Sequence, residues 1–317
     1  MKPCYIGFDT SNYTTSAAAC TADGCVIANC KAPLPVAEGQ RGLRQSDAVF
    51  AHVKNLPTVC RALSEAIEGY TPVAVGVSAT PRDAEGSYMP CFLAGKAAAS
   101  AFAADRGLPV YEFSHQNGHI MAAAYSSGHA DTLLRAPFLS FHVSGGTTEL
   151  LLVTPEERGF SVTLVGETDD INAGQAIDRV GVAMGLSFPC GKDMEALATA
   201  YEGKIYRHPI TVRDGRCSLS GAENIATKIY RESGDKNATA AFVFDFVART
   251  LIAMGEYAIE KYGKLPVLFA GGVMSNLWMR RALCEHFEAY FAEPAFSADN
   301  AAGIALLCRR EYMGGKA

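Results

Sequence analysis

The chain has 317 residues, 49% of them hydrophobic and 19% charged, with a formal net charge of −5. That length exceeds the roughly 100–200 residues of one domain, so two domains with ample cores are expected. No uninterrupted apolar run reaches membrane length and "MKPCYIGFDTS" lacks the basic and apolar regions of a signal peptide, so a cytoplasmic protein without a membrane partner is expected. An acidic chain attracts nucleic acid only through local basic patches, for which Arg41 with Arg44, Lys204 with Arg207, and Arg213 with Arg216 are the candidates, each more readily read as solvated surface. The ten cysteines, without a C-x-x-C pair, read as reduced thiols that behave as small hydrophobes.

In chain order, the opening reads as strands over 4–9, 14–21 and 24–31, joined by turns at "TSN" and "ADG". A strand–turn–strand start with Asp9 at its first turn differs from a Rossmann start, which runs directly into a helix. A helix over 46–69, the strand "PVAVGVSA", a small-residue helix over 92–106 and the strand "LPVYEFS" follow, and His115 and His119 then open another helix. After a loop near 127–136 the pattern restarts with "FLSFHVSGGTTELLLVT" and "FSVTLVGE". Helices are expected at 173–184, 191–201, 221–231 and 238–262, then the strand "LPVLFAGGV", a helix from Asn276 and a last helix from Ala301. Two halves that each begin with a β-meander suggest a duplicated α/β architecture.

Five stretches carry chemistry. His115 and His119, four apart, share one helix face and can close on one metal ion; they can equally be a core and a surface histidine. The zinc-peptidase motif H-E-x-x-H fails here because Gln116 stands where the general base would be. "VSGGTT" and "AGGVMSN" place paired glycines after strands, either to let backbone N–H groups meet an anion or as ordinary turns, with Asn276 able to cap a helix or bond a ligand. Gly174 and Asp178 face one side of a helix, where the carboxylate could bond the hydroxyls of a ribose or merely pair with Arg179. Asp299 and Asn300 stand before the last helix, as N-caps or with Asp299 as an anionic metal ligand.

Together "GFDTS", "HxxxH", "VSGG", G-x-x-x-D followed by Pro-x-Gly, "AGGV-x-x-N" and a late "DN" resemble the TsaD family over nearly the whole chain. The resemblance implies an actin-like, sugar-kinase-like ATPase fold: two related α/β halves around a nucleotide cleft, here 1–130 completed by a C-terminal helix at about 300–317, and 131–299. It implies transfer of a threonylcarbamoyl group from threonylcarbamoyl-adenylate to the exocyclic amine of the tRNA adenosine beside the anticodon. It also implies one divalent metal, iron or zinc, on His115, His119 and Asp299, and an ATP, ADP or adenylate site lined by His142, Val143, Ser144, Gly145, Gly146, Thr147, Asp178, Gly191 and Asn276. tRNA, a bacterial scaffold paralogue and the ATPase subunit of the modification complex are the implied partners.

Three departures mark the reacting centre. Tyr13 and Thr14 replace an acidic pair, Thr147 replaces a histidine, and "SATPRDAEGSYMP" replaces a loop with Gly-Pro-Gly. Asp9 and Thr14 are then the first-hairpin candidates for catalysis, and His142, where archaeal and eukaryotic relatives carry a tyrosine, is expected as a further metal ligand. The departures suggest a divergent paralogue. A nucleotide-binding scaffold, or a carbamoyl transferase or kinase for another substrate, is the alternative.

Overall fold

A computed structural model of the chain describes residues 1–11, 13–35, 43–297 and 300–314. These form two compact units: one of residues 1–135, 155–161 and 295–317, the other of 136–154 and 162–294.

The first unit opens with the expected meander, β1 (Lys2–Ser11), β2 (Thr14–Thr21) and β3 (Val26–Pro33). Next come α1 (Gln45–Ala66), β4 (Tyr70–Thr80), α2 (Phe92–Arg106), β5 (Val110–Ser114), α3 (His115–Ser126) and the single-turn α4 (Ala130–Leu133). The sheet order is β3-β2-β1-β4-β5; the meander pairs antiparallel, and β1–β4 and β4–β5 pair parallel. β1 is buried from Cys4 onward, as a strand covered on both faces must be. Ile6, Phe8, Val75 and Val77 meet Val59 and Leu63 of α1 and Ala99 and Ala103 of α2 in one core.

The second unit contains β6 (Phe138–Val143), β7 (Thr148–Pro155) and β8 (Phe160–Glu167), then α5 (Ala173–Ala183), α6 (Gly191–Thr199), β9 (Val212–Arg213), β10 (Arg216–Cys217), α7 (Ser220–Ser233) and α8 (Lys236–Tyr262). It continues with β11 (Val267–Ala270), a 3-10 turn (Gly272–Ser275), α9 (Leu277–His286) and β12 (Ala289–Phe291). Its sheet order, β12-β11-β6-β7-β8, repeats the first: an antiparallel opening, then parallel strands added beside the first one. The repeat lies in topology, as the sequence suggested. α8 is long and apolar enough to cross a membrane, but 83% of that stretch is buried, with Phe242, Phe244, Phe246 and Leu251 in the core of the second unit. The short α10 (Pro294–Ser297) leads toward the last helix.

That helix, α11 (Ala302–Tyr312), returns to the first unit, and Ala302 through Cys308 are buried there. It crosses α3 where Gly303 faces Gly118: a Cβ on Gly303 would lie 2.8 Å from the Gly118 carbonyl carbon and 2.9 Å from Ala122 N, with the Gly118 oxygen closer still. All three atoms are backbone, so only a residue without a side chain fits.

All ten cysteines are free thiols. Burial pushes Cys20 and Cys217 up to about 12 and Cys4 up to about 11; burial, with Asp9 nearby, does the same to Cys91. These four are inert core residues, as the spacing suggested, whereas Cys25 and Cys284 are exposed.

Candidate functional site

In the first unit the chemistry gathers at the start of α3. Ser114 caps it by accepting a hydrogen bond from Asn117 N, which fixes where the first turn begins. His115 and His119 then lie on one face with ring centroids 4.3 Å apart. His115 Nδ1 donates to Asp9 Oδ2 at 2.8 Å. The same carboxylate accepts from Ser78 Oγ on β4 and, through Oδ1, from Ser11 N at 3.0 Å. Asp9 is fully buried, so its oxygens need these partners, and it in turn fixes one imidazole. With the proton on Nδ1 the lone pair sits on Nε2, the arrangement of a histidine prepared to bind a metal.

The loop written "SATPRDAEGSYMP" is tied to the same helix end. Ser114 Oγ donates to Asp83 Oδ2 at 2.7 Å, Asn117 Nδ2 donates to the same oxygen, and Gln116 N donates to Pro81 O at 3.1 Å. Neither Ser78 nor Asp83 was visible as a site residue in the sequence, since only the fold brings them to the histidines. At the first hairpin Thr14 pairs with Ser11 and is half-buried, while Tyr13 is 45% exposed and its carbonyl accepts from Leu34 N. Asn300 Oδ1 accepts from Ala302 N at 3.0 Å in the turn before α11, whose N-cap position is Ala301, and Asp299 lies outside the described residues. Among the described residues no three His, Cys, Asp or Glu side chains form a metal-binding group. The imidazole pair and its buried carboxylate suit a borderline divalent ion nonetheless.

In the second unit the expected nucleotide residues collect at the carboxyl ends of β6 and β11, where open α/β sheets bind ligands. His142, half-buried, pairs with Glu149 of β7 and Ala270 of β11, and Val143 is buried. In the turn beyond, Ser144 Oγ accepts from Gly146 N and Thr147 N, and Ser144 N donates to Thr147 O. Gly145 and Gly146 are exposed, and a Cβ on either would meet nothing within 4 Å. The first turn of α5 rests on this hairpin: Gly174 N donates to Ser144 O at 3.1 Å, and a Cβ on Gly174 would lie 2.7 Å from Gly145 N. Gly271, with φ of 98°, lets β11 end against β6, for its Cβ would lie 2.7 Å from the Val143 carbonyl carbon.

Asp178 follows Gly174 by one turn. Its Oδ1 accepts from Cys190 N at 2.7 Å, which fastens the start of α6, with Gly191 at its first position, to α5. Arg179 pairs instead with Glu223 at 3.1 Å, so Asp178 is spared the surface ion pair considered from sequence. Asn276 caps α9 by accepting from Met279 N at 2.8 Å, and Glu195 of α6, missed in the sequence, accepts from Leu277 N at 2.6 Å. The starts of α5, α6 and α9 are thus linked through side chains and the hairpin, and helix starts carry partial positive charge suited to phosphate.

The basic patches are partly neutralised. Arg216 is held between Glu167 and Asp169, and Arg207 lies 3.6 Å from Asp245. Arg44 precedes α1, and Arg41 lies outside the described residues.

Two sheets of the same order, each with a glycine turn or buried carboxylate at its first hairpin, define a protein of the actin-like ATPase fold. Two solved structures agree at the level of fold. They are component A of (R)-2-hydroxyglutaryl-CoA dehydratase from Acidaminococcus fermentans (TM-score 0.53, 15% identity, 98% of this chain and 99% of that one) and a ROK family glucokinase from Streptomyces griseus in complex with glucose and AMPPNP (TM-score 0.52, 12% identity, 98% and 100%). The chain belongs to the TsaD family, tRNA N6-adenosine threonylcarbamoyltransferase, whose profile matches residues 38–306. It is 32% identical to the tRNA N6-adenosine threonylcarbamoyltransferase of Streptococcus suis (strain 05ZYH33), over 97% of this chain and 92% of that protein.

Proposed function

We propose that this protein is a metal-dependent acyltransferase that moves a threonylcarbamoyl group from threonylcarbamoyl-adenylate to the exocyclic amine of the tRNA adenosine beside the anticodon. The observation that carries the reading is the bond from Asp9 to His115 with His119 beside it, a carboxylate–imidazole pair built as metal ligands are built. His115 and His119, with Asp299, are the residues that would hold one iron or zinc ion. When bound, such an ion supplies a Lewis acid for the carbamoyl carbonyl.

In this reading Asp178 Oδ2 takes the ribose hydroxyls, since Oδ1 is already committed to Cys190 N. Val143, Ser144, Gly145, Gly146 and Thr147 face the phosphates, the Gly191 backbone admits the nucleotide closely, and the Asn276 amide nitrogen meets the base, its oxygen being spent on the helix cap. The acceptor nitrogen forms its bond to the carbamoyl carbon as the bond to the adenylate oxygen breaks, AMP departs, and the amine loses a proton. Asp9 orients His115 within this centre, and Thr14 stands at the hairpin where the family has an acidic residue.

Replacement of the acidic pair by Tyr13 and Thr14 supports a divergent paralogue with slow or altered transfer. The reaction would be cytoplasmic. It would use tRNA bound weakly by the chain alone and strengthened by a scaffold paralogue and an ATPase subunit, because the chain is acidic and Arg216 and Arg207 are already engaged. Metal analysis of the purified protein, with mass spectrometry of tRNA nucleosides from a strain lacking the gene, tests the proposal. The expected result is about one iron or zinc per chain and loss of the modified adenosine. Unchanged tRNA beside a metal-loaded protein would assign the chain another acceptor.

A further inference from the structure

We propose that a second cavity, within the first unit and apart from the histidines, binds a small organic anion: a compact oxyanion on a short apolar body. The cavity has a volume of about 200 Å³ and is enclosed by α3, α4, the end of α11 and the β2–β3 turn. Its floor is Met121 and Leu306, both nearly fully buried, with Tyr125 and Leu134 as walls. Arg309 and Arg310 border it, and Asp23 and Asp131 are exposed at the rim.

The two guanidiniums make this more than a surface dent. Each carries five N–H donors. Arg309 commits Nε to the Ala22 carbonyl at 2.7 Å, which anchors the side chain in the cavity wall. Arg310 makes one bond, to the Gly159 carbonyl at 3.5 Å. Among the described residues neither has a carboxylate within ion-pair distance, although neighbouring Arg158 and Glu311 pair at 3.0 Å. Arg310 is half-buried, and burial lowers its affinity for its proton. Arg309 feels the exposed Asp23 carboxylate, whereas Arg310 is partly desolvated with no charged partner among the described residues, a cost that an incoming oxyanion recovers, and the guanidinium fork matches carboxylate or phosphate geometry.

The apolar floor selects against a bare inorganic ion, because only a ligand with a hydrocarbon body covers Met121 and Leu306. The volume selects against a nucleotide, since it falls below the roughly 300–1,000 Å³ of sites for drug-sized ligands. The β2–β3 turn and the crossing of α3 with α11 thus create a site with two guanidiniums on its wall, two solvated carboxylates at its rim and an oily base. It requires neither the metal nor the adenylate.

The test titrates the full-length protein with butyrate, butyl phosphate, inorganic phosphate and butylamine, following the Met121 methyl resonance. Butyrate or butyl phosphate should shift it saturably with a Kd of about 1 mM or tighter, and which of the two binds better distinguishes a carboxylate from a phosphate ligand. Inorganic phosphate and butylamine should bind at least about tenfold more weakly. Arg310→Met should weaken the anion by a similar factor, and Leu134→Trp, which fills the cavity from its exposed side, should abolish the response. Arg231→Gln on α7 is the control and should change nothing. An unshifted Met121 with both organic anions, equal binding of inorganic and butyl phosphate, or full binding by Arg310→Met overturns the proposal. The wild-type titration decides alone if a variant does not fold.

Discussion

Gly303→Ala is the sharpest probe of the scaffold that carries the histidines. The added methyl would lie 2.8–2.9 Å from the Gly118 carbonyl carbon and Ala122 N, with the Gly118 oxygen nearer, and backbone atoms inside α3 have no rotamer to change. α11 must therefore back away by more than about 1 Å, and overpacking of this kind costs up to about 3 kcal/mol. Alanine regains about 1 kcal/mol as the better helix former, leaving a net loss of about 2 kcal/mol. For a unit of this size that is a fall of roughly 4–8 °C in melting temperature. Gly221→Ala on α7 is the control: its methyl would touch only Phe246, at 3.7 Å, and the variant should melt at or slightly above the wild-type temperature. Thermal melts by circular dichroism read both. Because Gly118 sits between His115 and His119, Gly303→Ala should also lower zinc occupancy. A Gly303→Ala protein that melts within about 1 °C of wild type would show that the helices do not meet as described.

His119→Ala should abolish most metal binding, while Asp9→Asn, which keeps the shape but weakens the hold on His115, should lower metal affinity about 10–100-fold; equilibrium dialysis measures both, and unchanged affinity in Asp9→Asn would sink the orienting role. Asp178→Ala should weaken ATP or adenylate binding by about 1.5–3 kcal/mol by calorimetry. Burial opposes ionisation of Asp170, but hydrogen bonds from Ser218, Ser220, Leu219 N and Ile171 N outweigh it and hold the carboxyl well below the usual range. A depressed carboxyl stabilises the fold above its unfolded value of about 3.9 and loses that contribution as pH falls toward its folded value; the melting-temperature deficit of Asp170→Asn at pH 7 should therefore shrink below about pH 4. A thiol reagent should modify exposed Cys25 and Cys284 before any buried cysteine, and early loss of Cys20 or Cys217 would contradict the packing.

Elements with strong periodicity or firm punctuation were readable. The helix over 92–106 and the strand over 14–21 form with the bounds their patterns suggested, and both β-meanders were announced by their turns. "VRDGR" was read for its charge alone, yet Asp214 and Gly215 both take positive φ, at 51° and 78°, and close a tight hairpin between β9 and β10. That Asp-Gly signal was present and overlooked. The bonds that make a site were not legible for a different reason. Asp9 meets His115 across 106 residues and Ser114 meets Asp83 across 31, and no local propensity encodes such pairs. Nor does spacing decide between the cap and the ligand read for Asn276, because a residue at a helix start suits both; the structure commits its side-chain oxygen to the cap.

The return of α11 to the first unit sets a timetable for biosynthesis. The β1–β4 strands and α3 leave the ribosome before the second unit, but Gly7 and Gly76 are shaped to receive Ala305 and Cys308, which are made only after it. At about 5–20 residues per second, the stretch between α4 and α11 takes roughly ten to thirty seconds to synthesise. During that interval the groove over β1 and β4 and the apolar flank of His115 and His119 have no helix to cover them. The stretch from β6 to β12 can meanwhile complete its own sheet and core. The histidine site is therefore completed only once α11 has followed the second unit, and a nascent chain stalled before Ala301 would carry the imidazoles on an open surface.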